Sequence, residues 1–517
     1  MHRRIESAMT MMTDPRHFKL RLFIEGNIIG VATGMVIALF RYLLELSEEY
    51  LPVLYRWLPE HIAWIPVWFL ALFLCSWVLY RIVSKDGMTS GSGIPQIKGI
   101  LLGEMDMNWA RVLVLKFTGA VLGIGAGMSL GREGPSVQLG ACLGQGLGRL
   151  THRSYAESHY LLTAGAGAGL AAAFNAPLAG VIFCLEELTK NFSAFVLMGA
   201  ISAAVTATTV TQYFFGMQPV FHMGVVPVID TGHMYFLLIL LGAFVGLLGL
   251  AFNPMLTRSQ DFYKKVPARW RPVVPLFCAG VLGFVLPQVL GGRLVDSLVV
   301  TDYTLAFLVL LLAAKFLFTM VCFGSGVPGG IFLPMLVLGS VGGAVFAKVA
   351  IFFQWMPELF AVNCIVFGMA AYFSAVVKSP ITGSILIMEM TGSFEHMLAL
   401  IIVSMTAYLV ADLTGGAPVY DMLLARSLAV RKKIASRIRH RRVLLELSVG
   451  VKSALDGRTV ASALWPSGCV LVNVRRGPHE LAPRDGLELQ AGDALFVLTD
   501  ADDTAALQAL AAEHPDQ

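Results

Sequence analysis

The sequence predicts an all-α polytopic membrane protein built from a duplicated unit, its helices interrupted at Gly/Pro motifs, followed by a small α+β domain. Three observations carry this expectation. Of the 517 residues, 56% are hydrophobic and only 14% charged, where a soluble domain holds about 25% charged residues. Two stretches of the apolar part repeat each other at nearly constant spacing. The hydropathy then stops near Arg426, and alternating strand patterns take over.

The elements follow in order. An N-terminal segment, 1–20, carries Arg3, Arg4, Arg16 and Lys19 and shows no signal peptide; its first mainly apolar run, Leu22 to Leu44, is already span-length. Crossing about 30 Å of hydrocarbon takes ~20 residues, and clear spans run at about 22–48, 63–83, 233–252, 273–290 and 304–323. Other apolar pieces read as too short or too broken to cross unaided. Some are rich in small residues, as in Thr163 to Ala173, which reads as close helix contact. A basic linker, 428–442, contains the run Arg431 to Arg442. It reads as a membrane-surface anchor. Together with the basic N-terminus it predicts that both ends lie in the cytoplasm.

The net charge of +4 is small for this length and argues against nucleic acid as a partner. Six of the seven cysteines fall in apolar segments, Cys469 reads as a strand residue, and none has ligand spacing. No metal or other cofactor is expected.

The repeat is visible residue by residue. Gly131-Arg-Glu-Gly-Pro-Ser-Val-Gln-Leu-Gly140 aligns with Gly330-Ile-Phe-Leu-Pro-Met-Leu-Val-Leu-Gly339, and Asn175-Ala-Pro-Leu-Ala-Gly180 with Lys378-Ser-Pro-Ile-Thr-Gly383. The offsets are 199 and 203, which divides the membrane region into copies at about 21–216 and 233–427. Repeat-built transporters bind substrate where broken helices meet near the midplane. The pattern itself leaves open whether the copies are parallel or inverted.

Three breaks share one design: Gly91-Ser-Gly-Ile-Pro95, Gly131-Arg-Glu-Gly-Pro135 and Gly326-Val-Pro-Gly-Gly-Ile-Phe-Leu-Pro334. Each precedes an apolar segment, so each places free N–H groups and a positive dipole end at a helix start. Converging, they make an anion site with no full positive charge, which suits an ion that must also leave. A carboxylate at such a break, Glu133, is expensive in lipid. The expense disappears if the break lines a cavity where the glutamate titrates. Lys116, Arg132, Lys315 and Lys378 read mostly as paired or snorkelling charges, with Lys116 raising the local potential for anions.

These three motifs in this order, with Ala173-Phe-Asn-Ala-Pro-Leu-Ala-Gly180 and Gly415-Gly-Ala-Pro-Val-Tyr420, resemble the CLC chloride channel and transporter family over residues 20–427. The resemblance implies a homodimer of inverted-repeat subunits with broken and re-entrant helices, each holding its own anion pathway. It implies that Ser92 binds the anion through its hydroxyl, Ile331 and Phe332 through backbone N–H groups, and Tyr420 through its phenol. Glu133 is then the gating glutamate, whose carboxylate competes with a halide for the same donors until it is protonated. Glu187, in Cys184-Leu-Glu-Glu-Leu188, matches the internal glutamate that distinguishes the family's proton-coupled exchangers. The repeat sharpens this, because Glu186 aligns with Glu389 whereas Glu187 aligns with Met390. Lys190, three residues on, is the alternative structural partner of Glu187.

Residues 443–517 are expected to form strands at 443–449, 469–475 and 492–498, with short helices at 459–464 and 503–512. They are too few for the paired CBS domains of many CLC relatives. Gly457 to Leu464, Val472 to Gly477 and Gly492 to Val497 resemble the TrkA-C type of regulatory domain instead, which implies a dimeric module sensing an unassigned small molecule.

The expected function is therefore exchange of chloride for protons across a bacterial inner membrane, with chloride, protons, membrane lipid and a second subunit as partners. A passive voltage- or pH-gated chloride channel is the alternative. An intramembrane enzyme lacks its parts here: there is no His-rich ligand set and no Ser/His or Asp/Asp pair at matched spans. A receptor reading would require the tail to engage a partner.

Overall fold

The computed structural model describes residues 15–435 except 191, 222, 225, 230–231 and 292–293, and in the C-terminal part 442–450, 453–463, 465–466, 469–476, 479–500, 507, 510 and 511. The chain forms two compact units, Met1–Ala425 and Arg426–Gln517.

The first unit is helical and repeats itself. The leading run is α1 (Pro15–Trp57), α2 (Ile65–Lys85), α3 (Ile94–Leu101), α4 (Trp109–Gly125), α5 (Glu133–Leu150), α6 (Tyr155–Phe174), α7 (Pro177–Phe183) and α8 (Ala194–Phe215). The second run is α9 (Gly232–Leu250), α10 (Phe252–Lys265), α11 (Val273–Val285), α12 (Leu294–Val300), α13 (Leu305–Gly324), α14 (Phe332–Phe352), α15 (Ala361–Val377), α16 (Pro380–Thr391) and α17 (Met397–Leu413), and α18 (Val419–Ala435) follows. Short α3 and α12 occupy the same place in the two runs, as do short α7 and α16, each of which has proline in its first turn. A proline there removes only an N–H that had no helical partner.

Equivalent residues of the two runs meet as antiparallel partners. Gly131 N–H donates to Gly330 O and Gly330 N–H to Gly131 O, both at 2.7 Å, in an antiparallel bridge. The copies thus run in opposite senses through one point, and the repeat is inverted. Its symmetry extends to buried charge. Lys116 Nζ donates to the carbonyls of Thr89 and Gly91, while Lys315 Nζ donates to those of Val289 and Gly291. Glu186 accepts the N–H groups of Ile381 and Thr382 at the start of α16, and Glu389 accepts those of Leu178 and Ala179 at the start of α7. Each carboxylate meets the positive end of the other repeat's helix, where it is stabilising.

The small-residue stretch Thr163 to Ala173 lies buried in α6, against α5. A Cβ on Gly140 would stand 2.0 Å from the Gly165 carbonyl oxygen, and one on Gly165 would stand 2.1 Å from that of Gly140. Only glycine permits this approach, which packing in lipid exploits.

Among the described residues, nine helical stretches are long and apolar enough to cross a membrane. Five overlap the expected spans. Ala194–Phe215, Phe332–Phe352, Glu358–Val377 and Phe394–Leu413 are additional, so several pieces that read as broken are continuous. Pro334 explains one case: it falls in the first turn of α14 and interrupts nothing.

The second unit holds an antiparallel four-stranded sheet in the order β1-β4-β2-β3, with β1 (Arg442–Ser448), β2 (Val470–Arg476), β3 (His479–Leu481) and β4 (Ala494–Asp500). Leu447, Val474, Leu489, Leu495 and Val497 form its core. Strand β3 was not expected. The helix expected at 459–464 is absent: 459–463 form turns, and Thr459 bridges to Glu488. Val460 N–H donates to Leu487 O and Ala461 N–H to Asp485 O, while the N–H groups of Ser462 and Ala463 turn back to Thr459 O, so a single turn closes without a helical ladder. The expected helix at 503–512 and the linker residues 436–441 lie largely or wholly outside the described residues.

Candidate functional site

The Gly131–Gly330 bridge brings together the first turns of α5 and α14, and the other breaks join it. Gly91 N–H donates to Gly326 O, and Gly329 N–H donates to Gly91 O at 3.0 Å. All three Gly/Pro motifs therefore converge, carrying the N-termini of α3, α5 and α14.

Glu133, the first residue of α5, is fully buried. Its Oε2 accepts the Leu333 N–H at 3.3 Å, while Oε1 has no partner among the described residues. Leu333 stands in the first turn of α14, whose N–H groups have no intrahelical acceptor. The expected backbone residues, Ile331 and Phe332, are buried in the same turn. Sequence reading missed Leu333 because its contact arises only where the repeats cross. Phe332, the repeat partner of Glu133, instead packs its ring against Phe373 and Phe174, at 4.5 and 5.4 Å between centroids.

Ser92 sits between Gly91 and Gly93, at φ +64° and +101°, in the hinge before α3. Left-handed backbone on both sides favours glycine. Ser92 Oγ is buried without a partner among the described residues, and a Cβ built on Gly134 would lie 2.4 Å from it. Lys116 holds this hinge by its carbonyls, as Lys315 does in the other half. Neither snorkels nor forms an ion pair with a described residue, in contrast to the sequence expectation: each neutralises converging carbonyl dipoles. Arg132 and Lys378 do pair, with Glu45 at 3.6 Å and Asp412 at 2.8 Å.

Tyr420, at the start of α18, is fully buried, and its hydroxyl has no partner among the described residues. The phenol lies within Coulombic reach of both Glu187 and Glu133. Ser92, Glu133 and Tyr420 thus each carry a buried polar atom without a partner among the described residues. A buried polar atom ordinarily has a partner, and an ion or water at the helix starts would supply one.

Glu187 is buried in a π-helical turn, Cys184–Leu188, that continues α7. Its Oε1 accepts from Lys98 Nζ at 2.7 Å and its Oε2 from Ser379 Oγ at 2.8 Å. Lys190 pairs with Asp421 at 2.6 Å and not with Glu187. Lys98 also pairs with Asp421. Sequence reading missed Lys98, Ser379 and Asp421. A lysine inside the short Ile94–Leu101, where it is the single charged residue, was the available signal for one of them. No group of three or more His, Cys, Asp or Glu suited to a metal occurs among the described residues.

An inverted repeat whose broken helices start around open hydroxyls and a buried carboxylate defines the class: a polytopic membrane protein of the broken-helix type. The chain belongs to the voltage-gated chloride channel family, whose model matches residues 71–412, and residues 444–512 match the TrkA-C domain. It is 37% identical over 430 residues to the H(+)/Cl(-) exchange transporter ClcA of Vibrio cholerae serotype O1 (strain M66-2), covering 78% of this chain and 89% of that one. It is 33% identical over 433 residues to the ClcA of Yersinia pseudotuberculosis serotype IB (strain PB1/+), covering 81% and 90%. Among solved structures, a slow cyanobacterial Cl-/H+ antiporter superimposes with a TM-score of 0.73 at 30% identity, over 79% of this chain and 98% of the other.

Proposed function

We propose that the protein exchanges chloride for protons, with Glu133 as a protonatable gate in the anion site. The observation that carries this reading is the Glu133 carboxylate on the Leu333 N–H group, an anion already seated on a helix start. In that position it competes with a halide for the same positive potential. Protonation removes its charge, the halide takes the donors, and proton and chloride binding become linked by one coupling free energy. Ser92 and Tyr420 offer their hydroxyls to the anion, and Ile331 and Phe332 offer N–H groups beside that of Leu333. Glu187 passes protons toward Glu133 from the cytoplasmic side. The relatives named as H(+)/Cl(-) exchangers support this choice.

The same reading makes the protein a homodimer in a bacterial inner membrane with both termini in the cytoplasm. The TrkA-C unit then senses a small molecule there. Chloride titration by calorimetry at two pH values tests the gate. Chloride binds the unmodified protein more weakly at alkaline pH, whereas Glu133→Gln binds it more tightly and with no pH dependence. Equal affinities of the two proteins across pH would refute competition.

A further inference from the structure

Four side chains from three segments, Glu187 with Lys190, Lys98 and Asp421, form one charge chain. Glu187 and Lys98 are buried, Asp421 is about one-third exposed at its side chain (32%), and Lys190 is exposed. Lys98 Nζ touches a carboxylate on each side, Glu187 and Asp421, and Asp421 in turn holds Lys190. The chain ties together the elements that carry the anion site. Lys98 belongs to α3, whose hinge holds Ser92, and Asp421 follows Tyr420 in α18.

We propose that Asp421 is a positioning residue for proton transfer: it keeps the Lys98 ammonium compensated while Glu187 carries a proton. This role rests on Glu187 being the internal proton carrier. When Glu187 is ionised, Lys98 has two anionic partners. When Glu187 takes a proton, it ceases to be a counter-ion for a buried ammonium. An uncompensated buried charge is strongly destabilising. Asp421 removes that penalty because its contact with Lys98 persists, and its exposed side joins the pair to Lys190 and solvent. No proton passes through Lys98 in this scheme.

The other groups facing Glu187 do not substitute for Asp421. From the α16 side Ser379 presents a hydroxyl, from α18 Tyr420 presents a neutral phenol, and Lys190 beyond the turn adds positive charge. Glu186, the neighbour in the turn, is engaged by the start of α16. On α6, Thr163 contributes a carbonyl that accepts from the Cys184 thiol of the same turn.

The test is an infrared titration of full-length protein in the Glu133→Gln background, following the protonated-carboxyl band that Glu187→Gln abolishes. If Glu187→Gln removes no band and leaves proton movement in the unmodified background intact, the proton-carrier reading itself fails. Given that band, Asp421→Asn moves its midpoint toward acid by about one pH unit, the low end for loss of a nearby charge. Lys98→Met moves it toward alkaline pH, and adding Asp421→Asn to Lys98→Met then produces a much smaller shift than Asp421→Asn alone. A merely structural role for Asp421 predicts no such dependence on Lys98. An unchanged midpoint in Asp421→Asn, or equal shifts with and without Lys98, overturns the proposal. If Asp421→Asn does not assemble, Lys98→Met and Asp421→Glu decide. An alkaline shift in the first with an unshifted midpoint in the second is expected, and any other pair of results refutes the proposal.

Discussion

Two adjacent glutamates have opposite assignments, and replacing each by alanine separates them. Glu186 accepts Ile381 N–H at 3.2 Å, Thr382 N–H at 2.7 Å and the Thr382 hydroxyl at 2.6 Å. A hydrogen bond to a charged group contributes about 1.5–3 kcal/mol net. Counting only the two short contacts, and discounting because Glu186 is half-buried and water can replace it, Glu186→Ala should destabilise by about 2–3 kcal/mol. The helix-end charge interaction falls within the same figure. For a unit as long as Met1–Ala425 this lowers the thermal midpoint by roughly 2–4 °C, as read from unfolding of detergent-purified protein. Chloride-coupled proton movement should persist in the folded fraction. Glu187→Ala should do the reverse. Lys98 keeps Asp421 as partner, so the midpoint moves little, while proton movement stops. An unchanged midpoint in Glu186→Ala together with lost proton coupling would refute the division between scaffold and proton carrier.

Other outcomes are expected. Glu133→Gln in liposomes should conduct chloride with no accompanying proton movement, and retention of proton movement would exclude Glu133 as the gate. Gly140→Val should push α5 from α6, since a Cβ alone stands 2.0 Å from the Gly165 carbonyl oxygen; over-packing of this kind removes at least 1–3 kcal/mol, measurable as a lowered midpoint or failed assembly. In the tail, Arg476 forms a two-pronged pair with Asp493 at 2.7 Å and holds that carboxyl below the ordinary aspartate range. The pair's contribution is therefore fully present above about pH 4 and fades as pH falls through the depressed value. Hydrogen exchange at Val449, whose N–H donates to Asp493 O, should be faster in Arg476→Ala than in the unmodified protein at neutral pH, and the difference should vanish in strong acid.

Much of the membrane fold was legible because duplication leaves the same local chemistry twice. The aligned Gly131 and Gly330 become antiparallel bridge partners, and the aligned Glu186 and Glu389 become reciprocal helix caps. Glu187 and Glu133, unmatched between copies, fall outside that scaffold. What the sequence concealed depends on contacts between distant segments. Leu333 receives Glu133 only through the crossing of the repeats, and Lys98 meets Asp421 across 323 positions (421 − 98). Lys116 and Lys315 misled for a related reason: charges at membrane depth suggest ion partners, yet converging carbonyls from a broken helix serve equally well. In the tail, three strands were readable from alternation. Turn 459–463 was not, since its apolar spacing resembles a helix while the N–H groups of Val460 and Ala461 bond to the distant Leu487 and Asp485.

Chloride-driven proton movement in liposomes containing the purified unmodified protein tests the central claim most directly. An outward chloride gradient imposed without a pH gradient, with a potassium ionophore and equal potassium on both sides carrying the compensating charge, should drive protons into the vesicles against their own rising gradient, seen as alkalinisation outside. Chloride leaving the vesicles with no uphill proton movement would contradict exchange and identify a passive chloride channel.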